Sequence, residues 1–341
     1  MCNPLNKLIT ADDIQTKWCE KETNKLIEFD DTKNKYKEFG IYKVVYNPGR
    51  ENRLVPQNTE KSTEKNTPTN AFPGSSNAFP GNLQNHPGFI YHFEDENMDL
   101  LANKFPIEKY HCLAFSDEYL AQNALAINEI KNVSNLVQKL EFGAFINMSK
   151  GGGASQPRWH AQIWFSSFLI EKLKPVKTAP NLYHLEGYPG GHILIQGTLE
   201  ERISLLKKII KNYRDTWETN TIIRYDLGED IVKNYKEKFP KADIISRIQK
   251  LEVEIEGDKT YNLIMWKDNI LFVPRRRETP NKTKTNAKAA GLELSGTWIV
   301  TDREVYDHIQ GEDYITTAIE EVTFPQEEID KFLEKTFSEK P

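Results

Sequence analysis

The chain has 341 residues, with 45 Lys and Arg against 50 Asp and Glu, a formal net charge of −5 and 38% hydrophobic residues. That length suits one large domain or two ordinary ones. A mean hydropathy of −0.63 and the lack of an apolar run near the ~20 residues that span a bilayer argue against an integral membrane protein. The acidic balance argues against a nucleic-acid surface, which needs a surplus of cations.

The polar start, Met1-Cys2-Asn3-Pro4, has neither the apolar core of a secretory signal nor the Arg/Ser bias of a transit peptide, which predicts a cytoplasmic location. Cys2, Cys19 and Cys112 are few and far apart, giving no disulfide framework and no CxxC zinc half-site. Ala11 to Glu28 reads as a helix with Ile14 and Trp18 on one side. Tyr42 to Tyr46 reads as a strand, and Asn47-Pro48-Gly49 turns the chain towards a second short strand at Leu54 and Val55. Residues 57–88, rich in Asn, Thr, Ser, Pro and Gly, form a long loop holding the repeat Asn70-Ala-Phe-Pro-Gly and Asn77-Ala-Phe-Pro-Gly. It is either a flap with Phe72 and Phe79 over a ligand or a mobile segment, and composition favours mobility.

Leu100 to Lys104 and Tyr110 to Phe115 predict a strand pair, followed by a helix from Glu118 towards Leu125. A second helix spans about Asn128 to Glu141, where Ile130, Val133, Leu136, Val137 and Leu140 recur at three- and four-residue intervals. Phe142 to Asn147 is a strand, leading through glycines into a second strand over Arg158 to Phe165. Residues 171–190 read as loop, His192 to Gln196 as strand, and Ser204 to Asn220 as an amphipathic helix. A strand over Lys250 to Glu256, a hairpin over Tyr261 to Pro274, a strand at Thr297 to Thr301 and helices at Asp302 to His308 and Gln326 to Phe337 complete an α+β chain.

The chemistry concentrates in Asn147-Met148-Ser149-Lys150-Gly151-Gly152-Gly153-Ala154-Ser155-Gln156-Pro157-Arg158-Trp159-His160-Ala161-Gln162. Consecutive glycines permit close backbone approach to a ligand, and successive N–H groups can form an anion nest. Alternation along a strand puts Arg158, His160 and Gln162 on one face and Trp159, Ala161 and Ile163 on the other. A neutral imidazole held by an acceptor at its second nitrogen can attack phosphorus; an amide can donate to a non-bridging oxygen; a guanidinium can bind phosphate through two N–H groups. One such donor to a developing oxyanion is worth ~2.7–4 kcal/mol in other enzymes. A glycine hinge beside a merely satisfied histidine is the bland alternative, but loop and row occur together and in phase.

The run Gly153-Ala154-Ser155-Gln156-Pro157-Arg158-Trp159-His160-Ala161-Gln162 resembles the G-[AS]-S-Q-P-H-x-H-x-Q signature of the histidine-triad (HIT) superfamily, in the nucleotidyltransferase branch that holds diadenosine tetraphosphate phosphorylases (ATP adenylyltransferases) and galactose-1-phosphate uridylyltransferases. Leu101-Ala102-Asn103-Lys104-Phe105-Pro106, Tyr261-Asn262-Leu263-Ile264 and Val273-Pro274-Arg275 resemble hairpins of the phosphorylase arm. The resemblance implies two HIT-like halves fused in one chain, each an antiparallel sheet with flanking helices, at about 1–170, with the active-site strand, and 171–341, completing the core and pocket. It implies a two-step reaction in which His160 forms a nucleotidyl-histidine that inorganic phosphate resolves. Gln162 matches the residue that marks transferases in the superfamily. Asn147, Ser149, Gly153, Ser155 and Gln156 match phosphate- or ribose-contacting positions, and Asn103 and Lys104 match the hairpin of the nucleotide pocket. Lys150 and Gly152 belong to the same loop. Arg158 departs from the pattern, which has His there, and an added cation favours a more anionic substrate group.

The expected substrate is a dinucleoside polyphosphate of the Ap4A type, cleaved by phosphate. The alternatives are a nucleotide-sugar phosphorylase or hexose-1-phosphate nucleotidyltransferase with the same covalent step, and an inactive nucleotide-binding protein. No structural zinc and no required cofactor are expected, although Mg²⁺ can accompany a polyphosphate. His192 reads as a packed or exposed strand residue rather than a pocket residue. Arg275-Arg276-Arg277 with Lys282, Lys284 and Lys288 is either a solvated loop or a catcher of distal phosphates, in which case Arg275 and Lys288 touch substrate. Expected partners are a nucleotide and phosphate, with neither nucleic acid nor membrane, and the chain is a monomer or homodimer.

Overall fold

A capping box starts the first helix of the computed structural model: the Thr10 side chain accepts from Asp13 N–H and Asp13 bonds back to Thr10, opening α1 (Ala11–Thr23). The structure describes residues 9–50, 83–118, 120–156, 158–226, 252–256, 258–281, 283 and 289–338. Strands β1 (Lys35–Phe39) and β2 (Tyr42–Tyr46) follow. Then come β3 (Phe89–Phe93), β4 (Met98–Ala102), β5 (Cys112–Ser116), α2 (Ile127–Leu140), β6 (Gly143–Asn147) and β7 (His160–Trp164). Next are β8 (Pro175–Ala179), β9 (Leu182–Leu185), β10 (Ile193–Gln196), α3 (Leu199–Thr216), β11 (Ile222–Asp226), β12 (Glu252–Glu256), β13 (Tyr261–Trp266) and β14 (Asn269–Pro274). The chain closes with α4 (Gly291–Leu294), β15 (Thr297–Val300), α5 (Arg303–His308), α6 (Glu312–Val322) and α7 (Gln326–Ser338).

Ten strands form one antiparallel sheet in the order β3-β4-β5-β7-β6-β13-β14-β10-β9-β8. Read inward from either edge, each group of five has the same order, first-second-third-fifth-fourth, and β6 meets β13 at the middle. Asn147 pairs there with Asn262 and Gly143 with Trp266. A helix links the third strand to the fourth in both groups, α2 in one and α3 in the other. These are the two HIT-like halves, fused edge to edge.

Most strands near the centre are apolar on both faces because both faces are covered. Ala144, Ile146, Ala161, Ile163, Leu263, Met265, Ile270 and Phe272 pack into one core with residues of α1, α2, α3 and α7. The alternate residues Phe145, Trp164, Ile264, Leu271 and Val273 pack into a second core with Tyr42, Val44, Trp298 and residues of α4 and α6. A small sheet, β1-β2-β15, covers this second face, with β15 parallel to β2. The N-terminal strands thus pack with the C-terminal segment.

Two expected elements differ. Residues 120–126 are irregular rather than helical, because Trp159 N–H donates to Leu120 O at 2.7 Å and Ala121 bridges Arg158. Within 171–190, Pro175–Ala179 and Leu182–Leu185 form an edge hairpin that turns at Asn181, φ +60°. Proline and lysine on an exposed edge strand conceal its pattern. α6 was missed, although Ile315, Ala318, Ile319 and Val322 are its buried residues at helical spacing. Leu54, Val55 and residues 57–82 of the long loop, with Phe72 and Phe79, lie outside the described residues. Among the described residues no helix is long and apolar enough to cross a membrane.

Candidate active site

His160 opens β7 and is 3% exposed. Its neighbours Trp159, Ala161 and Ile163 anchor the strand in the first core and turn His160 and Gln162 to the opposite face. His160 Nδ1 lies 2.9 Å from Arg158 O. A carbonyl oxygen only accepts, so Nδ1 carries the proton and Nε2 keeps a lone pair. The Gln162 amide nitrogen lies 3.2 Å from that Nε2. Gln122 fixes the histidine's backbone: its Oε1 accepts from His160 N–H at 2.8 Å, and its Nε2 donates to His160 O and Asn147 O at 3.2 and 2.9 Å. Sequence reading missed Gln122 because it lay in an expected helix.

On the far side of Gln162, its Oε1 accepts from His111 Nε2 at 2.6 Å, and His111 Nδ1 accepts from Ile107 N–H at 3.3 Å. The Asn103 amide nitrogen is 3.5 Å from His111 Nδ1, while its Oδ1 accepts from Phe105 N–H at 3.0 Å. On the near side the Phe115 ring lies 5.6 Å from the His160 ring, centroid to centroid, and 5.5 Å from the Arg158 guanidinium. Arg158 is buried and donates through Nη2 to Ser116 O at 2.9 Å.

The glycine loop does not form the expected nest. Gly152, Gly153 and Ala154 N–H groups donate to Met148 O, Lys150 O and Ser149 O at 3.2, 2.8 and 3.0 Å, closing a 3₁₀ turn on itself. The glycines serve packing: a Cβ on Gly151 would stand 2.6 Å from Thr260 Cγ2, and Gly153 holds φ +88° against Ala290. Ser149 also has positive φ, +54°, and its buried hydroxyl has no hydrogen-bond partner among the described residues. Strain of this kind collects at functional sites.

A cleft of about 290 Å³ opens beside this row. Asn103, His111, Asn147, Gly153, Ser155 and Gln162 line it. Asn147 Oδ1 accepts from Asn262 Nδ2 and Gly291 N–H, each at 2.8 Å, which leaves its Nδ2 as a donor to the cleft. The opposite wall was missed by sequence reading: Ala290, Leu292, Glu293, Ile299, Val300, Thr301, Asp302 and Val305 supply it from the C-terminal segment. Of these, Ala290, Leu292, Ile299, Val300 and Val305 form with Ile107 and Phe145 an apolar slot next to the polar row, and Glu293, Thr301 and Asp302 add polar groups to the wall.

Other expected contacts are absent from the cleft lining. Lys104 is exposed and pairs with Glu28 at 3.2 Å. Gly152 is buried, its carbonyl accepting from Asn262 Nδ2 at 2.8 Å. Gln156 and Lys150 are half-buried beside the loop. Arg275 is a correction: it is fully buried, and its guanidinium donates to Val322 O, Asn262 Oδ1, Ala289 O, Arg277 O and Glu278 O. Burial pushes its pKa down to about 10, so it stays a cation at neutral pH. It holds Asn262, and through it Asn147, rather than substrate. Lys282, Lys284 and Lys288 lie outside the described residues.

Among the described residues, His92, Asp99 and Asp117 bring metal-ligand atoms within 4.8 Å of one another. His92 Nδ1 is 3.0 Å from Asp99 Oδ1. Burial raises the Asp117 pKa, opposed by the nearby His92 and Arg158 charges. Cys19 and Cys112 are free, and burial raises the Cys112 thiol. His192 is packed, as expected: its Nδ1 faces Gly190 O at 2.7 Å and its Nε2 accepts from Leu185 N–H at 2.7 Å.

Known proteins resemble this chain in sequence family and in fold. Residues 52–180 match the Ap4A phosphorylase N-terminal domain family, and residues 204–325 match the ATP adenylyltransferase C-terminal domain family. No curated protein matches the chain. Among solved structures it is similar to the yeast Ap4A phosphorylase Apa2, with TM-score 0.61 and 16% identity over 92% of this chain and 94% of that one. The AMP complex of Apa2 gives TM-score 0.59 and 16% identity over 92% and 96%, and its Ap4A complex gives 0.58 and 16% over 95% and 99%. The two domain families are consecutive parts of one kind of enzyme, they meet this chain in the same order, and together they span the row and the cleft wall facing it. The chain therefore belongs to the Ap4A phosphorylase and ATP adenylyltransferase family of HIT-like nucleotidyltransferases.

Proposed function

We propose that this enzyme cleaves a dinucleoside polyphosphate of the Ap4A type with inorganic phosphate, through a nucleotidyl group carried on His160. The observation that carries the reading is the His160 ring, with Nδ1 held to Arg158 O and Nε2 turned to Gln162 at the cleft. In the first step Nε2 attacks the α-phosphorus, a P–N bond forms, and the bridging P–O bond to the rest of the polyphosphate breaks. The positive charge left on the ring is supported through Nδ1–H by the Arg158 carbonyl. Gln162 donates to a non-bridging oxygen as charge develops there. In the second step a phosphate oxygen attacks the same phosphorus, the P–N bond breaks, and His160 is restored. From Ap4A the products are ATP and then ADP.

The apolar slot between Ile107, Phe145 and Leu292 fits a base, and Asn103, Asn147 and Ser155 fit the ribose and α-phosphate. That Apa2 has been solved in complex with AMP and with Ap4A supports a nucleotide substrate. Mg²⁺ would arrive with the polyphosphate. A phosphorolysis panel tests the substrate: we expect phosphate-dependent loss of Ap4A with release of ADP and ATP. Preference for nucleotide sugars would favour the hexose-phosphate reading, and nucleotide binding without turnover would favour an inactive binder.

A further inference from the structure

We infer that His111 is a positioning residue that holds the NH₂ end of the Gln162 amide towards the nucleophile. The inference rests on the reading of His160 as the attacking group. An amide's oxygen and nitrogen ends are nearly the same size, so packing alone cannot choose between the two orientations. At Gln162 the lone pair on His160 Nε2 favours the NH₂ end, and His111 holds the same orientation from the other side once that lone pair is used in attack. Ile107 N–H donates to His111 Nδ1 at 3.3 Å, which leaves the ring proton on Nε2, and Nε2 donates to Gln162 Oε1 at 2.6 Å. The Gln162 NH₂ group then lies 3.2 Å from His160 Nε2, where the non-bridging oxygens of an in-line phosphorus arrive. The reverse orientation would set a carbonyl oxygen against those anionic oxygens.

The second half gives an internal comparison. His111 directly precedes β5, and His192 directly precedes β10, the equivalent third strand. His192 spends both ring nitrogens on backbone, at Gly190 O and Leu185 N–H. His111 instead sets Nδ1 against backbone and Nε2 against the Gln162 side chain, with the Asn103 amide nitrogen 3.5 Å from each ring nitrogen. Trp164, 5.5 Å away and edge-on, backs its ring.

The test is a double-substitution cycle read by single-turnover formation of the His160 adduct. His111→Phe should slow adduct formation on the order of 10²-fold, as expected for a misplaced reacting group, and lower kcat with little change in KM for nucleotide. His111→Gln, which returns an N–H near Nε2, should recover activity to within about tenfold of wild type. In a Gln162→Ala background, His111→Phe should add less than about twofold. Equal losses in both backgrounds, or no rescue by His111→Gln, would show His111 to be mere packing and overturn the inference. If wild type forms no adduct, the nucleotidyl-histidine reading fails on its own account. The bond is still tested by ¹⁵N NMR of histidine-labelled enzyme: His111 should be in the Nε2–H form and lose its downfield proton in Gln162→Ala, and an Nδ1–H form would refute the inference.

Discussion

What a histidine does depends on what its two ring nitrogens face, and three of the seven in this chain divide the possibilities among themselves. His160 meets a carbonyl at one nitrogen and the Gln162 amide nitrogen at the other; His111 joins backbone to Gln162; His192 is fastened to backbone at both. Burial pushes the His192 pKa down to about 4 from an ordinary value of 6.5, its bond to Gly190 opposing the shift. The unfolded chain therefore takes up this proton first as pH falls, so stability is full above about 6.5 and is lost towards 4. Between pH 7 and pH 5 the loss from His192 alone should be about 2 kcal/mol. Urea midpoints at the two values measure it: His192→Gln should show a flatter pH dependence than wild type, and an equal slope would place the titration elsewhere. His160 and Gln162 were legible from alternation along one strand, Gly153 and Ser155 from the motif before it, and Asn103 and Asn147 from the resemblance of their own segments to the family. Gln122 and His111 were not, since their roles depend on which backbone atoms and amides they meet across the fold.

Among the elements, the glycine loop shows the limit of composition. Three glycines in a row announce close backbone approach, and the structure has it, but against Thr260, Tyr261 and Ala290 rather than a free anion. The sequence could not show that Gly152, Gly153 and Ala154 N–H groups close on the loop itself. Arg275 teaches the same lesson: three arginines in a row read as surface, yet the first is fully buried and ties β14 to the 289 segment and α6. At Gly153 an alanine would meet left-handed backbone, φ +88°, and place its Cβ 2.8 Å from Ala290 Cβ. Gly153→Ala should cost ~1–3 kcal/mol of stability and raise KM for nucleotide, because Gly153 and Ala290 line the cleft together. Calorimetry and initial rates check both, and an unchanged KM would show that this contact does not shape the site.

Across the whole molecule, two five-stranded groups of equal topology have diverged into one site and one support. β6 and β7 are separated by residues 148–159, the loop that delivers His160, whereas the equivalent β13 and β14 are joined by the tight Lys267-Asp268 turn. The second half contributes instead the cleft wall from 290 to 305, apolar residues with Glu293, Thr301 and Asp302 among them, whose part in the site no local pattern reveals. The fold class and the internal duplication were thus readable from motifs, but the wall required the tertiary structure. On the proposed reading of His160, one chain would carry one nucleotidyl group. The most direct measurement is to incubate the purified enzyme with α-labelled dinucleoside polyphosphate in the absence of phosphate, quench it, and map the label by mass spectrometry. The account predicts a single acid-labile adduct on His160, at no more than one per chain, discharged by inorganic phosphate and absent from His160→Ala. A label that persists in His160→Ala, or turnover of Ap4A without any adduct, would contradict it.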